Sequence, residues 1–265
     1  RQLRKELRQA DIRDVVDWLG WSRGLDQSLA GPHDELSRGT YHPSPPSRFE
    51  VPKSAGSFRV ITTPHVRDAL VYRHISDSVL VRALPNKVKG AFFSRRHAAT
   101  PIGKTFSIQD DPSLTAIEIW LRYNEYRSLT LLNHPYRLLV ITDISNYFDS
   151  IAHELLIEHF SPTGLPREVA GILGKLLEAL RPTAGHSSSP RIGLAVDEFD
   201  CSRQLAHAFL FAHDRRIADE FGEDNYVRWM DDQNVGVDSP AAARRVVNFL
   251  TRSLARQRLT LNTGK

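Results

Sequence analysis

Val227-Arg-Trp-Met-Asp-Asp-Gln-Asn-Val235 consists of two apolar runs joined by adjacent aspartates. Tyr226–Met230 and Gln233–Val237 have the residue types of β-strands, and the acidic pair between them reads as a tight hairpin tip. Upstream, Arg137-Leu-Leu-Val-Ile-Thr142, bounded by Pro135 and Asp143, reads as a buried strand that delivers Asp143 to its end. Between these strands, helices are expected at Ala152–Phe160, Pro166–Leu180 and Ser202–Phe221, with a Gly/Ser/Pro loop from Arg181 to Pro190. A basic helix should follow over Pro240–Arg258, and a last strand over Leu259–Asn262. The order strand, helices, hairpin, helix, strand indicates an α+β layer, not a doubly wound parallel sheet. Toward the N-terminus, an amphipathic helix spans Gln2–Leu19, and a loop ends in the proline-rich Tyr41-His-Pro-Ser-Pro-Pro-Ser47. A hairpin follows (Phe49–Val51 and Phe58–Ile61), then helices at Val66–Leu84 and Ser113–Arg127.

The 265 residues are 41% hydrophobic and 25% charged, enough apolar material for a sizeable core, which excludes intrinsic disorder and fibrous repeats. No apolar run approaches the ~18–20 residues that span a bilayer. Arg1 to Ala10 is basic without an apolar centre, so no secretory signal is visible; the chain opens on arginine, and its true start is expected upstream. A single cysteine, Cys201, excludes an internal disulfide framework and suits a reducing cytoplasm. The net charge of +4 hides segregation. Val81–Gln109 carries Arg82, Lys87, Lys89, Arg95, Arg96 and Lys104 with no acid, and the chain from Ser239 onward is likewise basic without acid. Such stretches are either solvated faces or sites for a polyanion. Lys87-Val-Lys-Gly-Ala-Phe-Phe-Ser-Arg-Arg-His97 also interleaves cations with aromatics, a pattern suited to backbone contact plus base stacking.

Asp143, Asp231 and Asp232 carry the chemistry. Adjacent like charges repel, and a divalent cation removes that repulsion. Carboxylate oxygens suit Mg²⁺ or Mn²⁺, and two such ions about 3.5–4 Å apart stabilise the attacking and leaving oxygens of phosphoryl transfer. On their own these residues read more simply as a solvated Asp-Asp turn with a helix-capping Asp143; the flanking sequence reverses that reading.

Ile141-Thr-Asp-Ile-Ser-Asn-Tyr-Phe-Asp-Ser-Ile151 resembles the first catalytic motif of reverse transcriptases, and Val227–Val235 resembles their aromatic-x-Asp-Asp hairpin. Gly193-Leu-Ala-Val with Ser202-Arg-Gln-Leu-Ala-His-Ala-Phe-Leu210 resembles the intervening loop and helix. Val51-Pro-Lys53 with Phe58-Arg-Val-Ile61 and Asp68 resembles the fingers hairpin, and Leu259–Lys265 the end of the palm. All occur in the family's order. The resemblance implies an α+β right-hand polymerase: an N-terminal helical segment (1–40), fingers (41–136), and a palm (137–265) with an antiparallel sheet and packed helices. The thumb is expected outside this chain. It further implies an RNA-directed DNA polymerase, a nucleotidyltransferase using dNTPs, Mg²⁺ or Mn²⁺, and an RNA or DNA template and primer. Asp143, Asp231, Asp232 and the Ile144 carbonyl would hold the metal ions. Lys53 and Arg59 would clamp the triphosphate, with Tyr147 and Phe148 at the nucleotide and Phe148 crowding the sugar 2′ position. Gly193, Ser202 and Arg203 would belong to the template and primer loop, and Lys87, Lys89, Arg95 and Arg96 to a nucleic-acid patch.

Two departures stand out. The middle motif usually reads Gly-x-Pro-Gln-Gly, but here it is Gly193-Leu-Ala-Val-Asp197; Trp229 replaces the usual tyrosine. A loop without glutamine followed by Ser-Arg-x-Leu-Ala looks more like the bacterial abortive-infection and phage-defence branch. Some members of that branch make DNA without an ordinary template or on a protein primer, so a noncoding RNA, a protein primer, a companion defence protein or a homo-oligomer are all partners to consider. An inactive nucleic-acid-binding or scaffold relative, and an RNA-synthesising polymerase, stay open as alternatives; Phe148 speaks against the second. The histidines (His65, His74, His97, His207, His213) lack metal spacing, with His207 and His213 expected to pack on one helix, and Cys201 lacks a base partner.

Overall fold

The computed structural model describes residues 19–21, 23–52, 58–93, 116–132, 138–181, 191–197 and 199–262. Lys53, Arg95 and Arg96 lie outside them, as does most of the Gln2–Leu19 helix. The elements that position the site are α1 (Leu25–Ser37), β1 (Ser47–Pro52), β2 (Phe58–Thr63), α2 (Val66–Ala83), β3 (Ala91–Phe92), α3 (Ala116–Arg127), β4 (Leu138–Ile144), α4 (Tyr147–Ser150), α5 (His153–Phe160), α6 (Arg167–Leu180), α7 (Cys201–Phe209), α8 (Phe211–Phe221), β5 (Tyr226–Trp229), β6 (Asp232–Val237), α9 (Pro240–Ala255) and β7 (Leu261–Asn262). The result is α+β: a five-stranded sheet in the order β3-β5-β6-β4-β7, a separate β1-β2 hairpin, and packed helices.

Strand alternation explains which sheet face each residue serves. Val140, Ile144, Tyr226, Val235 and Val237 join the large core shared with the helices. The antiparallel register sets Val140 across from Val235 and Tyr226 across from Val235, so these residues share one face. Leu139, Ile141 and Asp143 point to the other face. There α3 packs through Ile119 and Tyr123 on Phe92 and Val227, with Leu139 of β4 at the edge of the same cluster. Ile141, further along β4, is 53% exposed among the described residues. The expected buried strand is thus fully covered on one face and only partly on the other.

Other expectations are corrected as well. The segment before Tyr41, expected to be loop, contains α1, which tolerates Pro32 and is tied by the i,i+4 pair Arg38–Asp34. The long helix Ser202–Phe221 is two helices meeting at Leu210. Within the basic stretch after α2, Ala91 and Phe92 form a strand parallel to β5. Phe92 and Phe93 are each 2% exposed, so the aromatics of Lys87–His97 belong to the core and are not open to stacking bases. Among the described residues no helix is long and apolar enough to cross a membrane.

Several connections lock the hairpin to the rest, among them Arg48 of β1 donating to the Ala179 and Arg181 carbonyls at 3.1 Å. Val196 forms a parallel bridge with Ile61, and the Thr62 N–H donates to the Val196 carbonyl at 2.9 Å. Asp68 on α2 is buried and accepts from the Tyr41 hydroxyl (2.7 Å) and the Ser44 N–H (2.8 Å), which pins the proline-rich segment before β1.

Candidate active site

β4 ends at Asp143 and Ile144, whose backbones pair with Asn262 and Leu261 of β7. The β4–β6 register runs to Thr142 opposite Gln233, and Asp143 and Asp232 occupy the positions immediately beyond that pair. Strand alternation puts both on the face that carries α3, opposite the face packed against the large helical core. Asp231 belongs to the two-residue turn closed by the Trp229–Asp232 pair. Asp143, Asp231 and Asp232 are all half-buried, while Ile144 is 1% exposed and contributes only its backbone.

Asn146, in a left-handed conformation with φ 44°, turns the chain from β4 into α4. Asparagine tolerates that conformation because its short polar side chain bonds locally. The turn sends Tyr147 inward, where its hydroxyl donates to the Ala206 carbonyl at 2.5 Å and burial pushes the phenol pKa well up. Tyr147 is therefore a support, its hydroxyl committed to α7, and Phe148 packs edge-on against it at 5.7 Å. Phe148 stays half-exposed and its carbonyl accepts from the Leu194 N–H at 2.8 Å.

Gly193, with φ 97°, occupies a conformation that a side chain would strain. Its carbonyl is bonded by His153 Nε2 at 2.8 Å, and burial lowers the His153 pKa. Further along the loop, the Asp197 carboxylate accepts from the backbone N–H groups of Phe199 (2.8 Å), Cys201 (3.1 Å) and Ser202 (2.8 Å). The aspartate that departs from the motif is thus a buried cap on α7, satisfying the orphan donors of Cys201 and Ser202. Arg203 pairs with Asp200 at 2.8 Å, and the Ser202 hydroxyl bonds Tyr72 of α2 at 3.0 Å.

These segments enclose a cleft of about 380 Å³. Arg59, Tyr147, Phe148, Ser202, Arg203 and Asp231 line it, joined by Phe58, Val60, Asn146, Asp149 and Asp197. Residues from β2, α4, α7 and the β5–β6 turn, far apart in sequence, therefore share one space that holds cations, carboxylates and an aromatic ring. Asp143, Ile144, Asp232 and Gly193 border it through the chain without lining it. Lys87 and Lys89 flank β3: the Lys87 ammonium sits 5.9 Å from the Phe92 ring centre, and the Lys89 N–H donates to Glu223. A larger cavity of about 640 Å³ between α1, α2 and α6 is mainly apolar and holds none of the candidate residues.

Among the described residues, no group of three or more His, Cys, Asp or Glu side chains stands gathered as a metal site. The oxygen donors of Asp143, Asp231 and Asp232 have the chemistry of a hard-cation site, and Asp143 and Asp232 lie at the ends of paired strands β4 and β6. Sequence reasoning missed Asn146, Asp149 and the α3 aromatics. Trp120 and Tyr123 pack on Trp229 at 5.1 and 5.0 Å, directly beside Asp232. It also passed over Arg228, although a charged residue between Val227 and Trp229, at a core-facing strand position, is a readable signal.

The α+β arrangement, a sheet backed by helices with the acidic hairpin at one end, is compatible with a polymerase-like fold. In keeping with that, the chain is similar in structure to telomerase from Candida albicans, solved in complex with a TWJ fragment of telomeric RNA. The TM-score is 0.53 at 11% identity, over 90% of this chain and 45% of that one. The likeness is one of fold, and this chain spans less than half of the telomerase chain. No protein-family model and no curated protein matches the sequence.

Proposed function

We propose that this chain is the nucleotide-transferring core of a reverse-transcriptase-like DNA polymerase. The observation that carries the reading is the cleft that unites Arg59, Phe148 and Asp231 from three separate stretches of sequence. In this reading β4 through β7 with their helices form the palm and β1-β2 belongs to the fingers. Arg59, exposed at the cleft, binds the triphosphate of a dNTP, where its guanidinium suits bidentate phosphate contact. Lys53, outside the described residues, joins it. Phe148, held from behind by Tyr147, excludes a ribose 2′-hydroxyl. Asp143, Asp231, Asp232 and the Ile144 carbonyl hold Mg²⁺ or Mn²⁺. When bound, such ions neutralise phosphate charge and activate the attacking hydroxyl. The reaction joins a 3′-hydroxyl oxygen, or a protein hydroxyl, to the α-phosphorus and releases pyrophosphate.

Asp197 points to unusual templating: the loop that resembles the template-contacting motif spends its polar side chain on capping α7. Resemblance to the phage-defence branch supports antiphage defence in the bacterial cytoplasm as the setting, with an RNA or DNA strand as partner. A second reading, a nucleic-acid-binding relative without catalysis, is favoured by the lack, among the described residues, of side chains gathered for a metal.

Incorporation of labelled dNTPs with Mg²⁺ or Mn²⁺ separates the two. Wild type should incorporate label, and Asp231→Ala/Asp232→Ala should lose it by a factor of ~10³ or more, the scale of removing principal transition-state charge stabilisation. Equal signal from both proteins would defeat the polymerase reading.

A further inference from the structure

Arg228 is fully buried on β5, two residues before the Met230-Asp231 turn. Its Nε and Nη2 fork onto Asp214 of α8, reaching Oδ1 at 2.7 Å and Oδ2 at 2.5 Å. The Tyr226 hydroxyl donates to the same Oδ1 at 2.7 Å. The remaining arm, Nη1, donates to the Met230 carbonyl at 2.7 Å. On its other side the Met230 N–H donates to the Phe92 carbonyl of β3 at 3.0 Å. Both backbone polar groups of Met230 are thereby fixed.

That grip matters because Met230 has φ 53°, a left-handed conformation that a long side chain does not favour. A two-residue hairpin needs positive φ in its turn, and glycine or asparagine usually supplies it. Here methionine does, so something else must hold the turn. Burial opposes the Arg228 charge, yet Asp214 keeps the guanidinium firmly protonated. Buried ion pairs return little net stability for their desolvation, whereas they can fix one geometry among several.

We propose that Arg228 is a positioning residue: anchored on Asp214, it clamps the Met230 carbonyl and so sets the turn that directs Asp231 into the cleft and leaves Asp232 on the sheet face beside Asp143. The consequence for cation binding rests on the role proposed above for those aspartates; the clamp on the turn does not. In a purely structural role, the pair would stabilise the fold without governing the turn.

The test uses the full chain and the double variant Arg228→Met/Asp214→Leu, which removes the clamp without leaving a lone buried charge. Amide hydrogen exchange over 229–232 and Mn²⁺ binding by calorimetry are read alongside a thermal melt. The clamp predicts faster exchange at the turn and Mn²⁺ affinity weakened by about tenfold or more, the usual effect of losing a residue that orients ligands. Ser76→Ala serves as the control, since Ser76 is also buried and hydrogen-bonded (to the Arg73 carbonyl at 3.1 Å) but lies on α2, outside the network that holds the turn. It should leave turn exchange as in wild type. Unchanged exchange in the folded double variant overturns the proposal, as does an equal change in Ser76→Ala, which would mark general loosening. Faster exchange with Mn²⁺ affinity unchanged overturns it too. Should the double variant not fold, Arg228→Lys takes its place with the same outcomes, because an ammonium keeps the charge for Asp214 but lacks the fork. Failure of the cation reading is seen separately, as wild type that binds no Mn²⁺, and exchange alone then decides the clamp.

Discussion

In the proposed polymerase reading, Phe148 is the residue on which sugar selection would turn. Its ring lines the cleft with Arg59 and Asp231, and Tyr147 packs edge-on behind it. Phe148→Ala should therefore raise ribonucleotide incorporation relative to deoxynucleotide by roughly tenfold to a hundredfold, the range over which a pocket discriminates by shape. The ratio of kcat/KM for NTP and dNTP measures it; an unchanged ratio means the ring does not face the sugar. The candidate site was legible at this scale where side chains sit in motifs: Arg59, Phe148, Ser202, Arg203 and Asp231 were all named from sequence and share the cleft. Asp197 shows what was not. An acid in a loop reads as surface charge, and only the folded chain reveals three backbone donors converging on its carboxylate. The partner of Arg228 was hidden similarly, since Asp214 lies on another element.

At the scale of elements, long periodic segments were readable and short or irregular ones were not. The α2, α6 and α9 helices and the β5–β6 hairpin match their sequence patterns, because each carries enough apolar residues at its own period to be held against the core. β3 escaped notice because two residues carry no period, and its existence depends on β5 as a partner. What makes that pairing possible is Gly90. A Cβ there would lie 2.1 Å from the Tyr226 carbonyl oxygen, and both neighbours are backbone, which cannot rotate aside. The Gly90 carbonyl also accepts from the Arg228 N–H at 2.8 Å, so displacement would disturb the strand that carries the clamp. Gly90→Ala should cost about 2–3 kcal/mol, as overpacking against fixed atoms does. Urea denaturation checks this: a lowered midpoint with unchanged slope is expected, and a shift below about 0.5 kcal/mol would show that β3 can slide.

Across the whole molecule, His213 joins the helical layer to the sheet. It projects from α8 with Nδ1 2.8 Å from Ser253 of α9 and Nε2 2.8 Å from Gln233 Oε1 of β6. Gln233 Oε1 can only accept, so Nε2 carries the proton and Nδ1 accepts from the serine hydroxyl. Burial holds the imidazole pKa down, from 6.5 to about 4, and the neighbouring Arg228 and Arg216 charges act in the same direction while Asp214 and Gln233 oppose them. The folded protein thus keeps this histidine neutral over a range where the unfolded chain takes up a proton. Stability is present in full above about pH 6.5 and is lost as pH falls toward about 4, because there the unfolded state binds the extra proton. A gap of this size amounts to about 3 kcal/mol at ~1.4 kcal/mol per unit. Buried His153 and half-buried His159, both also lowered by desolvation, add to the slope. Melting temperatures between pH 7.5 and 4.5 should therefore fall for the wild type and fall less steeply for His213→Gln, which cannot titrate. Parallel slopes for the two proteins would show that acid sensitivity arises elsewhere, and that protonation of this joint between layers does not limit the fold.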